Sequence, residues 1–147
     1  MQIGHVHLKV RDLGRSVAFY QEALGLTVTE QVANHFAFMT GTSMHHELAL
    51  QQVGEHAKTP GRFDTGLFHT AFEVGDKKEF ARAFQRLREM GIPVATVDHR
   101  ISWAVYFSDP DGNGLEIYVD TRKERGIGTW DGIDEPLPED LIRRELC

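Results

Sequence analysis

The chain alternates between short runs of period two and longer runs of period 3.6, and it does so twice. The segment Gly4-His5-Val6-His7-Leu8-Lys9-Val10-Arg11-Asp12 alternates apolar and polar positions, as a half-buried strand does. Leu13, Val17, Tyr20 and Leu24 then recur at helical spacing, with Asp12 placed to cap and Gly25 to stop, so a helix is predicted over Leu13 to Leu24. Three strand-like runs follow, Leu26–Val32, His35–Thr40 and Glu47–Gln52. The second half repeats the order. Gly66 to Asp76 reads as a strand, and Phe80, Phe84, Leu87 and Met90 mark a helix over Lys77 to Met90. Asp76 and Glu79 form a capping-box-like start to that helix, and Gly91 ends it. Pro93–Asp98, Ser102–Ser108 and Leu115–Val119 complete the set.

The pattern is therefore β-α-β-β-β, twice, which implies an α+β fold of two βαβββ modules around a half-open, barrel-like cleft. A single domain is expected over 1–120, with module one at 1–60 and module two at 61–120. Gly54 to Gly66 reads as the linker. Residues 121–147 form a C-terminal tail without the pattern: a charged loop Arg122-Lys123-Glu124-Arg125-Gly126, an isolated Trp130, and a short candidate helix over Glu139–Leu146. The tail could fold over the cleft or onto a second subunit.

The length of 147 residues suits one domain at about 100–200 residues per domain, large enough to bury a core without disulfides. A net charge of −6 argues against nucleic acid as the main partner. No run approaches the ~20 apolar residues of a membrane span, and Met1-Gln2-Ile3-Gly4-His5 has no basic or apolar leader pattern. The single Cys, at position 147, excludes an internal disulfide and cysteine-based metal sites. A cytoplasmic protein is expected, and a homodimer by general prior.

Eight histidines beside one cysteine point to imidazole chemistry. Laying the repeat on itself selects three positions. His5 and His69 are equivalent, each on the first strand of its module and seven residues before an Asp. Glu116 lies on the last strand, where Leu115, Ile117 and Val119 share one face and Glu116 and Tyr118 the other. If the two modules face each other, His5, His69 and Glu116 meet. Two imidazoles and a carboxylate form the facial triad of non-haem iron(II) oxygenases. The plain alternative is three polar residues on half-exposed sheets.

His5, Asp12-Leu13, Ser16, Phe19-Tyr20 and Leu24-Gly25-Leu26 resemble the opening of the vicinal oxygen chelate superfamily. Asp109-Pro110-Asp111-Gly112-Asn113-Gly114-Leu115-Glu116 resembles its closing turn and metal-binding strand. The superfamily includes glyoxalase I, fosfomycin- and bleomycin-resistance proteins and extradiol ring-cleaving dioxygenases. The resemblance covers about residues 3–120 and implies that His5, His69 and Glu116 bind metal. His45-His46-Glu47-Leu48-Ala49 is similar to a stretch of the extradiol enzymes whose second His is the acid–base catalyst, which matches His46. Asp98-His99-Arg100-Ile101-Ser102 with Tyr106 resembles the catechol-cleaving branch and implies substrate-binding roles for His99 and Tyr106. Tyr106 lies ten residues before Glu116, on the polar side of its strand with Ser102 and Ala104. The implied activity is ring cleavage of a catechol-like diol with dioxygen, using Fe(II) or alternatively Mn(II), Ni(II) or Zn(II).

Glu47 opens an alternative. Aligning the modules sets it opposite Glu116, where glyoxalase I-like members carry a fourth ligand. That would suit a nickel or zinc isomerase, or a thiol transferase. Strict strand alternation aims Glu47 at the cleft and His46 at the core. A metal-free sequestering protein of the bleomycin-resistance type is the third reading. His7 shares the face of His5, while His35 and His56 carry no motif. Arg122 and Trp130 stand where the dioxygenases have a basic-plus-Trp segment, which suggests a lid. Gly112 and Gly114 are turn glycines with no helix after them, not a phosphate loop.

Overall fold

The computed structural model describes residues 1–147 and divides into two compact units. The first comprises Met1–Phe68 with Asp109–Asn113, the second His69–Ser108 with Gly114–Cys147.

In the first unit the order is β1 (Val6–Val10), α1 (Leu13–Leu24), β2 (Thr27–Val32), β3 (Phe36–Thr40) and β4 (Leu48–Gln52). The sheet runs β1-β4-β3-β2, with β1 parallel to β4 and the other pairs antiparallel. Parallel pairing needs a crossover, and α1 with β2 and β3 supplies it. Leu8 and Val10 point into the core, while His7 and Lys9 are exposed. Asp12 caps α1 by accepting from Arg15 N at 2.6 Å, and Gly25 closes it at φ 69°. The buried face of α1 differs from the expected stripe. Leu13, Ser16, Tyr20 and Ala23 are buried, whereas Val17 and Leu24 are half-exposed. Two small residues let the helix lie close, and polar groups under it decide its rotation. Tyr20 donates to Asp109 Oδ2 at 2.9 Å, and Asp111 takes Arg11 at 3.1 Å and Arg15 at 2.8 Å. Asp109 also accepts from Asp111 N, Asn113 N and Asn113 Nδ2, so the Asp-Pro-Asp-Gly-Asn turn is held by its first residue.

In the second unit the order is β5 (Thr70–Glu73), α2 (Lys77–Glu89), β6 (Ala95–Asp98), β7 (Ser102–Ser108), β8 (Gly114–Asp120), α3 (Arg122–Arg125), β9 (Glu135–Pro136) and α4 (Glu139–Arg144). Its sheet runs β5-β8-β7-β6-β9, with β5 and β8 parallel. Phe80, Ala81, Phe84 and Leu87 of α2 are fully buried, as are Val105 and Leu115 of the sheet. Asp76 caps α2 through Glu79 N at 2.7 Å, while Glu79 reaches back to Gly75 N at 2.8 Å.

The tail belongs to this unit. β9 adds to the sheet edge beside β6, pairing Val97 with Pro136 and Asp98 with Glu135, and Ile142 of α4 is fully buried. No helix is long and apolar enough to cross a membrane. His5 and His69, expected on the first strands, each stand one residue ahead of the paired segment.

Candidate active site

In the second unit, register assembles the polar groups. Tyr106 of β7 lies directly across from Glu116 of β8, and Ala71 of β5 pairs with Glu116 on its other side. His69, two residues before Ala71, shares that face by alternation. Its Nε2 lies 2.9 Å from Glu116 Oε2. Tyr106 Oη lies 3.2 Å from Glu116 Oε1 and 2.8 Å from His99 Nε2. The other His99 nitrogen, Nδ1, meets Asp134 Oδ1 at 2.5 Å. The result is a continuous row: His69, Glu116, Tyr106, His99, Asp134. Glu116 is only 8% exposed, so its charge is withdrawn from water and needs these partners. Burial first, then the charge and hydrogen bond of Glu116, push the Tyr106 hydroxyl above an ordinary tyrosine, so it stays protonated.

His99 sits in the turn joining β6 to β7. Its N–H donates to Ser102 O at 2.9 Å. Arg100 beside it is left-handed, at φ 67°, a conformation that costs a non-glycine residue about 1–2 kcal/mol. Asp98 holds this turn by accepting from Arg100 N at 2.7 Å, and it takes a two-pronged bond from Arg125 at 2.7 and 2.8 Å. Burial alone would raise the Asp98 carboxyl. The Arg125 and Arg100 hydrogen bonds outweigh it and hold the group below its ordinary value.

In the first unit, the His5 and His46 rings lie 4.6 Å apart, and Phe38 packs on His46 at 5.0 Å. His46 Nδ1 faces His45 Nδ1 at 2.9 Å, and His45 Nε2 lies 3.4 Å from Glu30. Partial burial, then the neighbouring His5 and His45, lower the His46 pKa below an ordinary histidine. The expectation that alternation turns His46 to the core and Glu47 away from it does not hold. Glu47 is tied to both neighbouring strands, donating to Met39 O at 2.9 Å and accepting from Val6 N at 3.0 Å, but it lies in a bend ahead of the strand that begins at Leu48, where strict alternation does not apply. Glu47 instead caps the turn after β3, accepting from Thr40 Oγ1 and Gly41 N, each at 3.0 Å.

His7 is exposed, with its ring 6.2 Å from Phe36, and His35 and His56 are exposed. Arg122 closes on its neighbour Asp120 at 2.6 Å. Trp130 does approach the site, edge-on to His99 with centroids 6.1 Å apart. Asp134 was not signalled by the sequence: it is 35 residues from His99 in a segment without periodicity.

The 2.9 Å contact of His69 with Glu116 is a hydrogen-bond distance, and the two side chains are donor types that a divalent ion takes. One imidazole and one carboxylate suit iron, manganese, nickel or zinc. No three His, Cys, Asp or Glu side chains are gathered at metal-holding distance.

The chain is 38% identical over 128 residues to catechol-2,3-dioxygenase of Bacillus subtilis (strain 168), covering 87% of this chain and 43% of that protein. It thus spans less than half the length of that relative. It is 29% identical over 123 residues to glutathione transferase FosA of Serratia marcescens, covering 84% of each. A glyoxalase/dioxygenase structure from Nostoc punctiforme is similar at a TM-score of 0.69 and 30% identity, over 81% of this chain and 90% of that one. Residues 2–117 match the family described as the Glyoxalase/Bleomycin resistance protein/Dioxygenase superfamily, and the chain belongs to it.

Proposed function

We infer that this protein is a metal-dependent, extradiol-type dioxygenase that opens the ring of a catechol-like diol. The observation that carries this reading is the hydrogen-bonded row from His69 through Glu116 and Tyr106 to His99. It puts a candidate ion ligand next to a protonated hydroxyl and an imidazole, the groups that a diol substrate requires. The likeness to a catechol-2,3-dioxygenase supports the substrate class. Glu47 supports it as well: the carboxylate that an isomerase would use as fourth ligand serves as a turn cap.

His69 and Glu116 would hold the ion. Iron(II) bound there would supply positive charge that acidifies the diol and one-electron chemistry that lets it react with dioxygen. The chain's own residues handle protons and position. Tyr106 Oη holds one hydrogen between two acceptors, so it can donate to a developing negative charge on the substrate without first being charged. His99 Nε2 receives or returns that proton. His46 has Nδ1 engaged with His45, which leaves Nε2 to take a proton from the diol and give it back. A neutral His46, favoured by its lowered pKa, is the form that acts as base.

Iron-loaded protein should consume one dioxygen per diol and form a conjugated ring-opened product, followed by an oxygen electrode and by absorbance. His69→Ala and Glu116→Gln should each lose most bound iron by elemental analysis. His46→Ala should keep iron and turn over about 10²–10⁴-fold more slowly. Glutathione transfer without oxygen uptake would refute the reading.

A further inference from the structure

The last segment of the chain folds onto the turn that carries His99. Arg100 is gripped by Asp131 at 2.6 Å and by Glu135 at 3.3 Å. Trp130 lies edge-on to His99, and β9 is stitched to β6 through Asp98 and Val97. Within this clamp Asp134 contacts the imidazole itself, through Nδ1 at 2.5 Å. His99 is largely enclosed, with a side chain 20% exposed, whereas Asp134 stands at the rim at 48%.

An ionised carboxylate only accepts hydrogen bonds, so the proton at this contact sits on Nδ1. In the neutral ring Nε2 is the bare nitrogen, and it faces Tyr106 Oη at 2.8 Å. Without Asp134 the ring could carry its proton on either nitrogen. The Nε2–H form would turn a donor toward Tyr106 and remove the acceptor. The ring could also rotate, since the turn behind it already holds Arg100 in a strained conformation at φ 67°.

We propose that Asp134 is a positioning residue for the ring-cleaving site. It fixes the Nδ1–H tautomer and the ring orientation of His99, so that Nε2 faces the Tyr106 hydroxyl. The assignment rests on the dioxygenase reading above for its effect on turnover, but not for its effect on the imidazole. Partners that orient a metal-bound imidazole through its other nitrogen contribute about 10–100-fold, and the same order is expected for an imidazole oriented in this way beside the substrate.

The test uses Asp134→Asn, with Asp134→Glu as the conservative variant and Asp131→Asn as a control. The control weakens one of the two carboxylate contacts of Arg100 in the same clamp and leaves the His99 contact with Asp134 alone. In the 15N-labelled full chain without iron, long-range 1H–15N correlations should show His99 as the Nδ1–H tautomer. Asp134→Asn should add the Nε2–H form, and Asp134→Glu should restore the first. In the iron-loaded chain, Asp134→Asn should lower kcat about 10–100-fold with KM changed less than about threefold and iron content unchanged. Asp131→Asn should alter neither readout. An unchanged tautomer in Asp134→Asn overturns the proposal, as does an equal kcat loss in Asp131→Asn. A wild-type chain that consumes no dioxygen, while its His99 still answers to Asp134, overturns the ring-cleavage reading and leaves the positioning role standing.

Discussion

Replacing Tyr106 by Phe removes one atom from the middle of the row and leaves the ring in place. The lost hydroxyl lies 2.8 Å from His99 Nε2 and 3.2 Å from Glu116 Oε1. It carries a single hydrogen, so it donates to one of them at a time, and the loss amounts to one charge-assisted bond rather than two. Such a bond contributes about 1.5–3 kcal/mol. If it is made to charge that develops in the transition state, that range converts to roughly 10–150-fold in kcat at 1.36 kcal/mol per decade. The fold should survive. The aromatic ring keeps its contact with His69, whose centroid lies 5.5 Å away, and in the resting protein the loss is that of the bond to Glu116, about 1.5–3 kcal/mol. At an unfolding entropy of about 2.1 cal/mol/K per residue over 147 residues, this lowers Tm by about 5–10 °C. The assay is steady-state ring cleavage of catechol by iron-loaded protein, with bound iron and the melting curve measured on the same samples. A kcat within about twofold of wild type would refute the role given to Tyr106, because the bond would then be equal in ground and transition states. Loss of iron would also refute it, by making the hydroxyl a support for Glu116 alone.

Tyr20→Phe should lower Tm by about 5 °C with the far-UV spectrum unchanged. It deletes a fully buried bond to Asp109 worth about 1.5–2 kcal/mol, while Asp109 keeps its three other donors. An equal Tm would show that the bond is not formed in solution. Glu47→Gln should keep iron and turnover within about twofold, since a side-chain amide oxygen can still accept from Thr40 and Gly41. Iron loss as large as in Glu116→Gln would instead identify a fourth ligand. Asp98→Asn should cost about 2–3 kcal/mol by stranding Arg125, read as a Tm lower by about 6–10 °C at pH 7. The Asp98 carboxyl is held below its unfolded value of about 3.9, so its contribution is whole above that pH and is lost as pH falls through the folded pKa. The Tm gap to wild type should therefore be constant from about pH 7 to 5 and close below about pH 4; a gap that widens in acid would contradict the assignment.

Local signals in the sequence determined whatever depends on neighbours along the chain. Helix α1 spans Leu13–Leu24 as its spacing, cap and terminal glycine predict, because caps and 3.6-residue periodicity act within one or two turns. The doubled β-α-β-β-β order and the polar face shared by Tyr106 and Ala104, or by Glu116 and Tyr118, were legible for the same reason: alternation persists along a paired strand. Where a strand had not yet begun, the rule lapsed, and only the folded chain settled that Glu47 caps a turn while His46 lies against His5. The rotation of α1 toward Ser16 and Ala23 depended on Asp109 and Asp111, about 90–100 residues away, which no window on the helix contains. The contact of Asp134 with His99 is of this kind too. The tail has no period to read, and β9 is a two-residue strand containing Pro136, so its place beside β6 follows from tertiary packing and from pairing with an edge that the rest of the sheet leaves open.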